Sequence, residues 1–306
     1  ILKFTFFENI KIFFALVFFS ISCTCFANNL KTSTPILYLE QGEAYAVFNV
    51  SWDNAWQNSK NHDAIWLHFK SISNNGDYHH IKVAPKGHTM MANFGNTSFQ
   101  LDFETTNDSI GVFIFSKNKF RGNVHVTVKI KLHGDDFKRI NTRKSSFSVF
   151  GIEMVEIPKG EFELGNPSEG AQKYGSFYQP KSENYFSNLL TIDSEKMVIA
   201  VAKNGNLFYQ KKEGYEGDQT GIIPAEYPKG FAAFYTMKYE ITEGGYVDFL
   251  NSLSNDLLQD RIIINEKNYK ENGGTIEQKE NKFFTSFPNK PCKFLSWDDA
   301  MAFADW

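Results

Sequence analysis

The chain has 306 residues, long enough for two domains, and a formal net charge of −3 that gives no electrostatic footprint for nucleic acid or an anionic membrane surface. A hydrophobic share of 42% with 22% charged residues is ordinary for a folded soluble protein. The aromatic share of 16%, with 31 Phe, favours β-rich structure, because aromatic rings fit a half-buried pleated surface.

The first element in chain order is a targeting segment. Lys3 and Lys11 flank the start, "IFFALVFFSIS" supplies a short apolar run, and "CFANN" offers Ala27 before a polar stretch. That order of basic, apolar and small-residue regions predicts a secretory signal over residues 1–27 and hence export, with the protein periplasmic, outer-membrane-associated or extracellular. The run is short of the ~20 residues that span a bilayer. A lipoprotein reading with Cys23 as the modified residue ranks second, since Ser20 stands where an aliphatic residue is usual. Membrane contact is therefore expected only through a lipid anchor or an uncleaved signal. Cys23 and Cys25 would leave with the signal, so Cys292 would remain alone and no internal disulfide is expected.

Residues 28–149 read as short strands separated by polar turns. "AYAVFNVSW", "AIWLHFKSI", "HHIKVA", "SFQLDFE", "IGVFIFS" and "VHVTVKIKL" alternate or run apolar over a strand's length, with "DNAWQNSKNHD", "SNNGD", "APKGH" and "SKNKFRGN" between them. This predicts an antiparallel β-sandwich with Trp52, Trp56 and Trp66 in its packing. All seven histidines, His62, His68, His79, His80, His88, His125 and His133, lie here. Adjacent His79 and His80 point to opposite faces of a strand, and no pair has a ligand spacing backed by carboxylates, so no metal site is expected. "DDFKRINTRK" reads as a solvated strand edge.

From residue 150 the texture changes. "GIEMVEIPKGEFELG" is two strand-like pieces hinged at Pro158-Lys159-Gly160. "EKMVIAVAKNGNLFYQ" predicts a hairpin turning at Asn204-Gly205. Thr242 is the expected N-cap of a helix whose apolar face is Tyr246, Phe249, Leu250, Leu253 and Leu257. Ser296 and Asp299 form a capping box for a last helix carrying Ala300, Phe303 and Ala304 on one face. The chain ends inside that helix, so we expect a truncated module, with Phe303 exposed for want of a partner. Mixed strands and helices make the whole an α+β protein.

Three ordered blocks carry a resemblance. "EMVEIPKGEFELG", "FYTMKYEITEGGYVDFLNSL" and "KFLSWDDAMAFADW" are similar, in order, to the opening of the formylglycine-generating enzyme (sulfatase-modifying factor) family, with its "M-V-x-I-P-x-G-x-F-x-M-G", "Y-E-V-T", "Y-x-x-F" and "V-S-W-x-D-A" motifs. Met154, Pro158, Gly160, Phe162, Gly165, Tyr239, Glu240, Thr242, Tyr246, Phe249, Ser296, Trp297, Asp299 and Ala300 occupy the motif positions. Leu164, Ile241 and Leu295 are conservative departures, and the segment between the first two blocks is longer than usual. "NVSWDNAW" and "DAIWLHFK" also look like the β-domain preceding this module in some exported bacterial proteins. The resemblance implies a C-type-lectin-like mixed domain over residues 150–306, incomplete here.

The family's activity is copper- and oxygen-dependent oxidation of a substrate cysteine to formylglycine, and copper and calcium are its implied metals. The resemblance places the cysteine pair and the calcium ligands beyond the "S-W-D-D-A" helix. Soft thiolates suit Cu(I), and a pair is needed; Cys292 is single and stands before "KFLSW", so its expected role is a buried inert thiol. Accordingly no catalytic, cofactor-binding or metal-ligating residue is expected in this chain, and the motif residues act as fold determinants, with Trp297 packing beside the cap. The alternative is a non-catalytic binding or scaffold component of a bacterial cell-envelope assembly, with a protein or envelope component as partner. A nonheme-iron oxidase would need histidines that the second region lacks.

Overall fold

The computed structural model describes residues 29–72, 78–94, 99–140, 146–166, 176–180, 189–209 and 220–306. The apolar leader, Ala27, Cys23 and Cys25 lie outside the described residues.

Two antiparallel sheets carry the first region. One runs β1 (Lys31–Thr32), β3 (Glu43–Gln57), β9 (Phe120–Lys131), β6 (Thr89–Asn93), with β2 (Ile36–Glu40) also on β3. The other runs β15 (Phe234–Met237), β10 (Ser146–Ile157), β4 (Asp63–Ile72), β8 (Gly111–Ser116), β7 (Leu101–Thr105), with β5 (Tyr78–His80) on β4. Alternation along β3 turns Ala46, Phe48, Val50 and Trp52 inward. They meet Ile65, Leu67 and Phe69 of β4 in one core, where the Phe48 and Phe69 ring centroids are 5.8 Å apart. The "DDFKRINTRK" expectation is corrected over its first six residues, the last four lying outside the described residues: Gly134–Ile140 is a short helix, α1, with Asp135 and Asp136 in the first turn, where carboxylates favour the helix dipole.

Strand β10 belongs to both regions. Ser146 to Val155 pair with β4, and Met154 to Ile157 pair with β15. Val149 thus lies inside a strand that makes one sheet of the two regions. β11 (Phe162–Leu164), past the Pro158 hinge, pairs with β12 (Leu190–Ile192). The Asn204-Gly205 hairpin is also corrected. β13 (Ile199–Val201) pairs with β14 (Gly221–Ile223), while Leu207 meets Val201 in a parallel bridge. The Gly205 and Asn206 amides fold back onto the Ala202 and Ala200 carbonyls, and Phe208 then pairs with Tyr178 instead of returning along β13.

A second core forms around α2 (Glu243–Ser252). The Thr242 hydroxyl accepts from the Gly245 amide at 3.1 Å, and Tyr246, Phe249 and Leu250 pack with Tyr269, Ile276, Phe283 and Phe303. Leu253, at φ −84° and ψ 147°, ends the helix; α3 (Asn255–Leu258) follows, and Leu257 is 62% exposed rather than on the buried face. β16 (Ile276–Lys279) and β17 (Lys282–Thr285) make a hairpin within a stretch whose polar sequence gave no strand signal. α4 (Trp297–Asp305) starts with both bonds of the Ser296–Asp299 capping box. Two expectations about it fail: Phe303 is 5% exposed, 5.8 Å from the Phe249 ring, because α4 lies against α2; and Trp297 is 79% exposed, projecting from the first turn.

Candidate functional site

Strand β4 is the origin of the site. Its odd residues enter the core, so Trp66, His68 and Lys70 fall on the opposite face. Antiparallel pairing sets Phe150 of β10 beside His68, and His80 of β5 beside Lys70. In β8, a Cβ on Gly111 would stand 2.5 Å from the Trp66 ring, so only glycine admits that ring.

On an uncovered sheet this face would be wet. Here the end of α4 lies over it. Trp306 packs edge-on against His68 with centroids 5.1 Å apart, and against Phe150 at 4.8 Å and Phe249 at 5.7 Å. Lys70 Nζ sits 5.2 Å from the centre of the Trp306 ring, within cation–π range. His68 is left 3% exposed and Lys70 5%.

These groups are covered but not satisfied. Both ring nitrogens of His68, Nδ1 of His80 and Nε1 of Trp306 are buried with no hydrogen-bond partner among the described residues. Burial, reinforced by the charges of Lys70 and His80, holds His68 down to about 3, so its imidazole is neutral at pH 7. Burial alone brings Lys70 down to about 8, with no carboxylate opposing it. Each unmet buried group costs about 1–3 kcal/mol. They border a cavity of ≈ 490 Å³ walled by Trp66, Ile152, Met154, Met237, Ile241 and Phe303. A second space of ≈ 580 Å³ lies where Lys70, Tyr78, Leu257 and Arg261 meet the other side of Trp306.

Two other polar centres have their bonds made. Glu243, fully buried at the start of α2, accepts from the Thr275 amide at 3.0 Å, from the Thr275 hydroxyl, and from the Thr285 hydroxyl at 2.8 Å. Lys238 bonds Asp63 at 2.7 Å and stands 3.8 Å from Glu153, whose carboxyl burial pushes up to about 8 despite that cation.

The motif residues are spread along the second region. Met154 lines the cavity from β10 and pairs with Met237; Ala300 lines it from α4. Tyr246 donates to the Arg261 carbonyl at 2.8 Å, and Asp299 receives Arg261 Nη1 at 3.1 Å. The Gly160 amide donates to the Phe231 carbonyl, and Gly165, at φ +136°, has no room for a Cβ beside the Phe177 carbonyl. Pro158 and Glu240 are exposed on turns, and Phe162 and Tyr239 are partly exposed. The site residues His68, Lys70 and His80 are not among them. The signal for them was the period-two pattern of "IWLHFKS", which reads equally well as a face turned to solvent.

The metals implied by the resemblance do not fit these residues. Among the described residues no group of three or more His, Cys, Asp and Glu side chains is placed to hold an ion. Cys292 is the free cysteine there, and burial, with Glu243 and Asp299 adding to it, pushes its thiol up to about 12. A protonated lone thiol is a poor copper ligand.

A family model describing a sulfatase-modifying factor enzyme 1-like domain matches residues 148–306. Neither a curated protein nor a solved structure matches the chain.

Proposed function

The chain belongs to the sulfatase-modifying factor family, and from that premise we propose that it is an exported protein in which a β-sandwich is joined to a C-type-lectin-like module of the formylglycine-generating type that is not catalytically complete in this chain. The oxidation of cysteine to formylglycine is not carried by residues of this chain. The observation behind this reading is the state of Cys292, which is half-buried where a buried thiol was expected, stays protonated at neutral pH and has no second cysteine beside it among the described residues. Cu(I)-dependent chemistry of that kind calls for two thiolates held together.

The test is direct. The chain is loaded with Cu(I) and incubated in air with a thiol reductant and a cysteine-containing peptide, and the peptide is analysed by mass spectrometry. We expect no aldehyde product above the copper-only control, and no difference between the chain and Cys292→Ser. Formation of formylglycine that depends on Cys292 would refute the reading.

A second reading, a lipoprotein-like binding or scaffold component of a bacterial cell-envelope assembly, is favoured by the shared strand β10. Continuous pairing of β4, β10 and β15 fixes the two regions against each other, as a platform for a partner requires. Labelling of Cys23 with a radioactive fatty acid in a bacterial host, lost in Cys23→Ser, is the outcome expected of the lipoprotein form.

A further inference from the structure

We propose that the chain staples itself: Lys238 Nζ and the Asp63 carboxyl condense, within the folded protein, to an amide bond, with Glu153 as the group that carries the protons.

The three residues are brought together by strand register. The Lys238 amide donates to the Glu153 carbonyl at 2.9 Å, continuing the ladder of β10 with β15, and on the other side of β10 Glu153 pairs with Ile65 and Val155 with Asp63. Alternation along the strands therefore puts all three side chains on one face, the face that Ile65 turns to the core. Asp63 is 2% exposed, and the side chains of Lys238 and Glu153 are 13% and 9% exposed.

A structural ion pair needs one acid. Here a second stands 3.8 Å from the same ammonium, on a face where burying an extra carboxyl is costly. Burial raises the Asp63 carboxyl above its ordinary value, against its bonds to Lys238 and Trp56, and pushes Glu153 up to about 8. At neutral pH the trio thus holds a proton that free carboxylates would have released. An amine, an acyl group held against it and a neutral acid at the same nitrogen are what an acylation requires.

The atoms balance. Nζ lies 2.7 Å from Asp63 Oδ2, and a proton passed across that contact turns ammonium and carboxylate into amine and carboxylic acid. The nitrogen lone pair attacks Cγ, and the C–N bond forms as the carbonyl electrons move to Oδ1. The Trp56 amide, 2.8 Å from Oδ1, donates to the charge that grows there. Glu153 gives its proton to Oδ2 and takes one from nitrogen, the Cγ–Oδ2 bond breaks, and water leaves. A carboxylate and an ammonium have become an amide and one water, and Glu153 ends as it began. With the cation consumed, Glu153 has less reason to ionise, so its proton stays with the fold. The fixed contact supplies the proximity that a condensation in water lacks, and the dry core protects the product from hydrolysis.

The bond ties together positions 175 residues apart, β4 of the first region and the segment after β15 of the second. In a chain whose described residues hold one free cysteine, it takes the place of a disulfide, since closing so long a loop restricts the unfolded chain. The inference uses neither Cys292 nor the proposed function.

To test it, the full chain is purified folded, then denatured, digested with trypsin and analysed by mass spectrometry. We expect peptide 61–70 joined to peptide 230–261, uncleaved after Lys238 and one water lighter than the two separate peptides. Glu153→Gln should lose the linked species. Lys238→Arg keeps a cation beside Asp63, but the guanidinium stays protonated and cannot attack, so it should give separate peptides. On a reducing, denaturing gel the wild type should run ahead of Lys238→Arg, as a looped chain does. Should Glu153→Gln fail to fold, the wild type and Lys238→Arg decide the matter. Separate peptides from wild-type chain held folded for days, a link through any other lysine, or a link that survives in folded Glu153→Gln would each overturn the proposal.

Discussion

Gly111 shows how a single residue without a side chain fixes a functional face. It pairs with His68 across β4 and β8, and Trp66 occupies the volume a side chain would need. Gly111→Ala should therefore displace the indole and cost about 1–3 kcal/mol, as overpacking does. Urea unfolding checks this. A cost under ~0.5 kcal/mol would show that the indole moves aside freely and that Gly111 does not hold Trp66 in place.

At the scale of an element, α4 separates two aromatic residues that the sequence places only six positions apart. Phe303 is enclosed by Phe249 and Trp306, at centroid distances of 5.8 and 5.5 Å, whereas Trp297 projects into solvent. Phe303→Ala should cost about 3–5 kcal/mol, and Trp297→Ala should stay within about 0.5 kcal/mol. Thermal melting of the two variants side by side is the measurement, and equal shifts would mean that α4 does not dock as described. The capping box gives a smaller handle: Ser296→Ala removes the acceptor for the Asp299 amide and should cost ~1 kcal/mol. Both caps were legible in the sequence because they depend on neighbours three residues apart. The mistaken readings of "DDFKRINTRK", of the Asn204 loop and of Leu257 share a different cause. In each case a local pattern fitted two conformations, and distant contacts chose between them.

For the molecule as a whole, one lysine joins the two regions. Lys238, just past β15, lies between Asp63 of β4 and Glu153 of β10, and a single cation neutralises a single carboxylate. Burial accordingly keeps Glu153 protonated in the fold, its pKa up to about 8 from an ordinary 4.5. The folded state then holds a proton that the unfolded chain has released, so this group's contribution to stability is complete below pH 4.5. It is lost as pH rises through about 8. The slope is at most about 1.4 kcal/mol per pH unit. Glu153→Gln should flatten the stability profile across that window, as read from urea midpoints at several pH values. A variant with the wild-type slope would remove Glu153 as its source.

What the sequence determined by itself was local: strand alternation through β3, β4, β8 and β9, the two capped helices, the three ordered motif blocks, and through them the family. These follow from periods of two and 3.6 residues and from hydrogen bonds between near neighbours. What only the tertiary structure decided was which faces are covered. Trp66, His68 and Lys70 alternate with core residues as a solvent-facing row does, and Trp306, more than two hundred positions later, covers His68 and Lys70. Burial is a property of what lies opposite, so the charge and the unmet hydrogen bonds that define the site came into being only when β10 and α4 brought the far end of the chain across the sheet.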